Sequence, residues 1–181
     1  MESNATSPAS SMTYPLLQCD ESIKKSINNK MEQTFTILKQ TRANILKLVN
    51  SLSEEQMNTI PQGFNNNLAW NLGHVVVTQQ LLCYRLANLE CGVSDELIQR
   101  FRKGSRPEAK ISAQEIDDFK AKMLSLIDQT IADYQAGKFQ AYKEYPTSFG
   151  VKLDNIEAAI QFNNVHEAMH LGTMMAMKKL V

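Results

Sequence analysis

The sequence has few cysteines and no net charge, and each of these features excludes some classes of protein. Only Cys19, Cys83 and Cys91 occur among 181 residues, and no CxxC spacing joins them. An odd number of cysteines without such spacing argues against a disulfide-stapled domain and favours reduced thiols. The formal net charge of zero gives no electrostatic reason to expect nucleic acid or an anionic membrane as a partner.

Long apolar runs are missing too. No run approaches the roughly 20 residues that span a membrane, and the N-terminus has no basic stretch followed by an apolar one. We therefore expect a soluble, cytoplasmic protein. Residues 1–30 are expected to be an N-terminal extension, partly disordered because residues 1–15 are rich in Ser, Thr, Asn and Ala. Residues 31–181 are expected to form one domain with a substantial core.

Strand-like alternation is absent, whereas apolar residues recur at steps of three and four in several segments. The sequence therefore predicts four long helices and two short ones. The long helices are expected near residues 31–52, 67–89, 112–136 and 153–180, and a short one near 95–103. Residues 51–66 are expected to be a loop with one turn at 53–56. Residues 20–30 are expected to form a separate polar helix. Asn66 or Asn67 is the expected cap of the second long helix, and Ser112 that of the third. These elements predict an all-α protein built as a four-helix bundle.

Histidine is scarce, and its placement is the strongest chemical signal. The chain contains only His74, His166 and His170. On a helix the last two are offset by about 40° and lie about 6 Å apart along the axis, so both imidazoles leave one face. That spacing suits two ligands of one metal ion, although such pairs also occur as packing or on the surface. If the helix of His74 faces the same core, all three form one three-nitrogen metal site.

Other ligand types do not fit this site. Cys83 follows His74 by nine residues, which places it on the opposite side of its helix. Glu167 projects about 100° away from its histidine neighbour and is not expected to share that face. A set of three histidines leaves coordination positions open, which is typical of catalytic or ligand-binding metals. We expect metal to be released as pH drops through about 6, because protonated imidazole cannot coordinate.

Several residues beside the histidines have two interpretations. Asn163 shares the face of the C-terminal histidine pair, and it is expected either to orient a histidine or a water or to fill a buried polar gap. Asn71 and Thr78 flank the first histidine at steps of three and four. Gly73 and Gly172 each adjoin a candidate ligand and are expected to permit close approach of another helix. None of these residues is assigned a catalytic role.

Two segments carry a resemblance to a known family. NLAWNLGH at residues 67–74 resembles the second-helix histidine segment of the DinB/YfiT-like superfamily, and HEAMHLG at residues 166–172 resembles its C-terminal HExxxH-x-G segment. Leu171 departs from the polar or basic residue that many relatives carry. The resemblance covers about residues 31–181. It implies an up-down-down-up four-helix bundle, commonly a homodimer, with a divalent metal, often zinc or nickel, on His74, His166 and His170.

The resemblance also implies a function. Characterised relatives include metal-dependent thiol S-transferases that use bacillithiol and a mycothiol-dependent isomerase. The expected partners are therefore a small-molecule thiol and an electrophile, with an open metal site activating the thiol, or water in a hydrolase. The alternative is a metal- or small-ligand-binding protein of the stress response that catalyses nothing.

Overall fold

A computed structural model describes residues 18–181 of the chain, with side chains from residue 31 onward. The tail predicted over residues 1–15 lies outside the described residues. The helices are α1 Gln18–Val49, α2 Glu54–Asn58, α3 Leu68–Cys83, α4 Asp95–Phe101, α5 Ala113–Gln135 and α6 Ile156–Met177. A 3-10 turn, Arg85–Ala87, follows α3, and the short strands β1 Tyr145–Pro146 and β2 Lys152–Leu153 pair as an antiparallel hairpin. None of the described helices is long and apolar enough to cross a membrane.

Local capping signals set several helix ends where the sequence placed them. The side chain of Asn67 accepts a hydrogen bond from the backbone N–H of Trp70 and caps α3. Ser112 caps α5 through a reciprocal bond with Glu115, and Gly137 follows the helix with a φ of 66°. These caps use side-chain oxygens to satisfy backbone N–H groups that a helix start leaves free. Because a cap involves residues only three apart, it can be read from the sequence.

Two helix boundaries differ from the predictions, and one element was not predicted. The helices expected near residues 20–30 and 31–52 are one continuous helix, α1. The helix that begins near residue 67 ends at Cys83 instead of residue 89, because the chain tightens into the 3-10 turn and Asn88 adopts a left-handed φ of 57°. The hairpin was not predicted, since strands of two residues are too short to show alternation.

The four long helices pack around a core divided into two apolar clusters. α1 and α3 each pack against both α5 and α6. One cluster includes Ile45 and Met174, and the other includes Leu38 and Ile160. Between these residues, α1 and α6 carry buried polar side chains. A polar layer therefore separates the two clusters, and it contains the candidate site.

Candidate metal centre

The three histidines converge where α3 packs against α6. All three are buried, and one nitrogen of each lies within 4.8 Å of the others. Nε2 of His74 is 3.2 Å from Nε2 of His166. The ring centroid of His170 lies 4.7 Å from that of His74 and 4.5 Å from that of His166. The packing of α3 on α6 thus brings together residues separated by more than ninety positions, as the sequence predicted.

Hydrogen bonds hold two of the imidazoles in a single tautomer. Nδ1 of His74 is 2.6 Å from the backbone oxygen of Phe101, and Nδ1 of His170 is 2.8 Å from Oδ1 of Asn71. The Asn71 amide nitrogen donates to Asn66 and Asn67, so its oxygen is the atom that faces the imidazole. Both partners are acceptors, and each Nδ1 must therefore carry the hydrogen. The lone pairs of both histidines are left on Nε2.

The geometry and donor set fit a divalent cation. Zinc–nitrogen bonds are about 2.0–2.1 Å long, so two nitrogens in tetrahedral positions lie about 3.3 Å apart. The 3.2 Å between Nε2 of His74 and Nε2 of His166 is close to that value. Nδ1 of His166 is buried without a partner among the described residues, which leaves this imidazole's tautomer free to adapt. Zinc and nickel both accept imidazole ligands.

Burial keeps the imidazoles in the neutral form that coordination requires. Desolvation, with smaller contributions from His170 and His74, lowers the pKa of His166 to about 2. Desolvation and His74 lower the pKa of His170 to about 4. The pKa of His74 is also lowered by burial, although its hydrogen bond to the Phe101 carbonyl opposes the shift. A cation would therefore displace no protons from these nitrogens at neutral pH.

A cavity of about 460 Å³ opens over the histidines. Its walls come from α3, the 3-10 turn, the hairpin and α6, and many of them are apolar: Leu81, Leu82, Leu86, Phe149, Phe162 and Met169. Arg85 and Lys103 line it as well, whereas none of the described residues that line it is acidic. The site thus combines nitrogen ligands, apolar walls and positive charge. Sequence reasoning missed the two cations, because they come from separate connections.

The structure also places the residues that neighbour the histidines. Asn71 orients His170, and the Thr78 hydroxyl lies 3.3 Å from Nε2 of His74. Gly73 permits a close approach, since a Cβ there would meet the Phe101 ring at 2.5 Å. Gly172 does not, because a Cβ there would have no neighbour within 4 Å among the described residues. Within the described chain, therefore, no helix makes close contact at Gly172, because its side of α6 is exposed.

Cys83 and Cys91 stay out of the cluster, as predicted. Cys83 is buried away from it, and desolvation raises its pKa to about 12. Cys91 is partly buried, and desolvation raises its pKa also. Thiols with raised pKa values are poor metal ligands, since coordination requires the thiolate.

Glu167 has a partner that the sequence analysis did not identify. Its carboxylate accepts from Nε and Nη2 of Arg42 at distances of 2.7–3.1 Å, and both side chains are completely buried. Nη1 of Arg42 donates to the backbone oxygen of Met123 at 2.7 Å. A signal was present, because Arg42 falls between Leu38 and Ile45 on the apolar stripe of α1. A lone arginine on such a stripe requires a buried acid.

The described architecture is mostly helical, and its polar layer presents three buried histidines to a largely apolar cavity. This arrangement defines a class of mostly helical proteins with a potential metal centre between helices. A family model described as the DinB superfamily matches residues 37–174, and the chain belongs to that superfamily. No curated protein matches the chain.

Proposed function

We propose that the chain is a metal-dependent thiol S-transferase, in which His74, His166 and His170 hold zinc or nickel beneath the cavity. The observation that carries the proposal is the set of three buried imidazoles whose nitrogens converge at the floor of a cavity. A divalent cation held there would supply Lewis acidity, which lowers the pKa of a thiol or a water. Membership of the DinB superfamily is compatible with metal binding.

The chain's own residues would bind and orient the reactants. The apolar walls would exclude water and contact the hydrophobic part of an electrophile. Lys103 would attract an anionic group on the thiol, whereas the guanidinium of Arg85 is already paired with Asp95. In the transfer, the thiol sulfur bonds to an electrophilic carbon, the bond from that carbon to its leaving group breaks, and the thiol proton leaves to solvent. Activation of water in the same place would give a hydrolase.

A second candidate is a binding protein without turnover that takes up a metal or small ligand during stress. One observation favours it: apart from the histidines, the described residues of the cavity wall include no carboxylate or thiol to serve as a base. Deprotonation of a bound thiol would then depend entirely on the metal and on solvent.

Metal analysis and thiol conjugation distinguish these functions. Purified protein is analysed for bound metal, stripped with a chelator and reconstituted with zinc or nickel. Each form is mixed with an anionic thiol and chlorodinitrobenzene, and His170→Ala is the matched control. Turnover that follows metal occupancy supports the transferase. Occupancy near one ion per chain without turnover favours the binding protein, and no enrichment after reconstitution overturns both.

We also propose that the four long helices follow an up-down-down-up course. Two contacts between α1 and α6 support a parallel pair, since Asn164 donates to the backbone of Thr34 and Lys178 to Ser51. α3 and α5 also run in the same direction, because Gln79 donates a hydrogen bond to Thr130 and, further along both segments, Tyr84 donates one to Asp133. Between α3 and α6, Asn71 contacts Met177 whereas His74 contacts His166, which supports an antiparallel pair.

Homodimer formation is a further part of the proposal. The exposed side of α6 carries Val165 and Met175, which are 53% and 56% exposed. Gly172 lies between them and has open space beside it, so a second helix could approach closely. Sedimentation of the wild type at micromolar concentration should give twice the chain mass of 20.4 kDa. Val165→Glu should shift it to the monomer, and a wild type already monomeric would contradict the proposal.

A further inference from the structure

The cavity over the histidines extends along α3, and its two ends have different walls. Trp70, His74 and Leu82 all line it and follow one another along the helix. At a rise of 1.5 Å per residue, Trp70 and Leu82 lie about 18 Å apart along the helix axis. The histidine cluster is between them, so a bound molecule can approach it from either end.

The end of the cavity at Trp70 is polar and positively charged. Asn66 lines it just before α3 begins. The indole N–H of Trp70 donates to the hydroxyl of Ser105 at 3.1 Å, which brings the neighbouring wall residues Lys103 and Gly104 to this end. Lys103 is exposed and has no ion-pair partner among the described residues. This end therefore suits an anionic group.

The end of the cavity at Leu82 lies against the hairpin of β1 and β2. The Tyr142 hydroxyl donates to the backbone oxygen of Leu82 at 2.8 Å, and the Lys143 N–H donates to that of Leu86 at 2.6 Å. These bonds hold the chain that enters the hairpin on the C-terminal end of α3. The apolar wall residues of this end are Leu81, Leu82, Leu86, Phe149 and Phe162.

Phe162 reaches the same end from α6. Asn71 contacts Met177 whereas His74 contacts His166, so residues that precede His166 lie towards the C-terminal end of α3. Phe162 is four positions before His166, which is about one helical turn. It therefore lies beyond the histidines, on the side away from Lys103.

Polar groups at the hairpin end are either paired or uncharged. Arg85 is paired with Asp95, and the Thr147 hydroxyl donates to the backbone oxygen of Val151 at 2.8 Å. The other polar wall residues of this end carry hydroxyls, and they are Tyr145 and Ser148. Among the described wall residues, this end thus presents no unpaired charge to favour an ionic group.

Phe149 and Phe162 form an aromatic corner at this end. Phe149 is in the turn between β1 and β2 and is 51% exposed, which is unusual for so large an apolar residue. The two ring centroids are 5.5 Å apart, and the ring planes meet at 82°. A flat ring stacked on one phenylalanine would be edge-on to the other, and aromatic pairs prefer both arrangements. A saturated ring of the same size would gain apolar contact only.

We propose that the aromatic corner is the electrophile subsite and that Phe149 is the residue that selects electrophiles with a planar aromatic group. The thiol takes the opposite end, where Lys103 attracts its anionic group. The reacting carbon and sulfur then meet beside the histidines, between the two subsites. This inference rests on the proposed transferase function, because it assigns the two reactants of that reaction to the two ends of the cavity.

Three glycidyl ethers test the selection. The phenyl, cyclohexyl and methyl ethers share one epoxide: the thiol sulfur bonds to its terminal carbon, the carbon–oxygen bond breaks, and the thiol proton ends on that oxygen. The value of kcat/KM is measured for each with zinc-loaded protein and an anionic thiol. We expect a preference of about tenfold for phenyl over methyl and about threefold for phenyl over cyclohexyl. Equal values for the phenyl and cyclohexyl ethers would overturn the aromatic selection.

Phe149→Ala should remove the preference. We expect kcat/KM to fall about tenfold for the phenyl ether and less than about twofold for the methyl ether. Phe149→Leu keeps apolar contact without a ring, and it should lose the preference for phenyl over cyclohexyl. Val151→Ala is the matched control, because Val151 follows the same turn and is 49% exposed but does not line the cavity. An equal loss for all three ethers in Phe149→Ala would indicate a structural role and overturn the inference.

Binding without turnover separates the inference from the proposed function. Phenoxypropanediol carries the phenyl group without an epoxide, and saturation-transfer NMR measures its affinity for chelated protein. We expect wild type and Val151→Ala to bind it equally and Phe149→Ala to bind it about tenfold more weakly. Such binding without conjugation of any ether by zinc-loaded protein would overturn the transferase and leave an aromatic ligand site. Conjugation that does not depend on Phe149 would overturn the inference and leave the transferase.

Discussion

His166 and Glu167 are adjacent on α6, yet they belong to two very different buried polar groups. Glu167 turns towards α1 and forms a closed ion pair with Arg42, where every polar atom of the carboxylate has a partner. His166 turns towards α3 and joins two other imidazoles beneath a cavity. One group is saturated by the protein itself. The other keeps its nitrogens directed at one another.

The difference shows how burial alone fails to identify function. A buried charge that is fully paired links helices, and removing either partner leaves an uncompensated charge. Buried neutral nitrogens that converge at a cavity have capacity left for a ligand. The two groups should therefore respond differently to mutation, one through stability and the other through binding.

The largest expected effect is on metal binding. His74→Ala, His166→Ala and His170→Ala should each abolish tight zinc binding, whereas helical circular dichroism should stay near that of wild type. The apolar clusters and the Arg42–Glu167 pair do not depend on metal, and a domain of this size has about 5–15 kcal/mol of net stability. Competition with a chromophoric chelator measures the affinity. Full affinity in His74→Ala would contradict the three-histidine site, and loss of helix in all three variants would make the metal structural.

Arg42→Ala should have the largest effect on folding. We expect the free energy of unfolding of chelated protein to fall by about 3–5 kcal/mol, because Glu167 would be left charged and buried. Urea unfolding measures the change. The double variant Arg42→Met with Glu167→Leu is the control, and it should recover most of the loss by replacing the pair with apolar contacts. A loss below about 1 kcal/mol for Arg42→Ala would mean that the pair contributes as little as a surface bridge.

Acid should lower the free energy of unfolding of the chelated protein, because its histidines bind protons more readily once the chain unfolds. Their pKa values are lowered in the folded state, to about 4 for His170 and about 2 for His166, so below about 6.5 the unfolded chain binds more protons. Stability is then complete above pH 6.5 and falls as the pH drops towards 4. At pH 5, each of these two histidines should lower the free energy of unfolding by an amount on the order of 2 kcal/mol. Urea unfolding at pH 8 and pH 5 tests this, and His170→Gln should show a smaller difference.

Burial also revises the pH at which metal should be lost. An ordinary imidazole pKa predicts release near pH 6, but protons compete poorly for histidines whose pKa values are about 4 and about 2. Zinc-loaded protein should therefore retain its metal at pH 5.5. Dialysis at stepwise lower pH followed by metal analysis measures retention. Release complete at pH 6 would show that the imidazoles are more solvated than their burial indicates.

The smallest effect should come from the cavity rim. Lys103→Gln should lower kcat/KM for an anionic thiol by a few-fold at low salt and by less at high salt. Exposed charges contribute only about 0.2–1 kcal/mol, and salt screens them. The ratio of kcat/KM for an anionic and a neutral thiol measures the change. Lys47→Gln, on an exposed part of α1 outside the cavity wall, is the matched control. An equal change in both variants would assign the effect to overall charge.

Sequence reasoning succeeded where signals are local or scarce. The caps at Asn67 and Ser112 depend on residues three apart, and the histidine cluster could be predicted because the chain has only three histidines. The Arg42–Glu167 pair joins residues 125 positions apart, and neither residue type is rare. The Phe101 carbonyl that orients His74 belongs to the backbone, which every residue has. Such partners become visible only when the helices are packed.

Trp70 gives the candidate centre an optical property. It is the chain's only tryptophan, and its ring stacks on that of His74 with centroids 4.6 Å apart and planes 12° apart. Its indole N–H donates to the hydroxyl of Ser105, which holds the ring in place. Any change in charge on the imidazole will alter the electric field across the indole and thus its emission. Occupancy of the centre can therefore be followed by intrinsic fluorescence, without a label, in a signal that comes from a single chromophore.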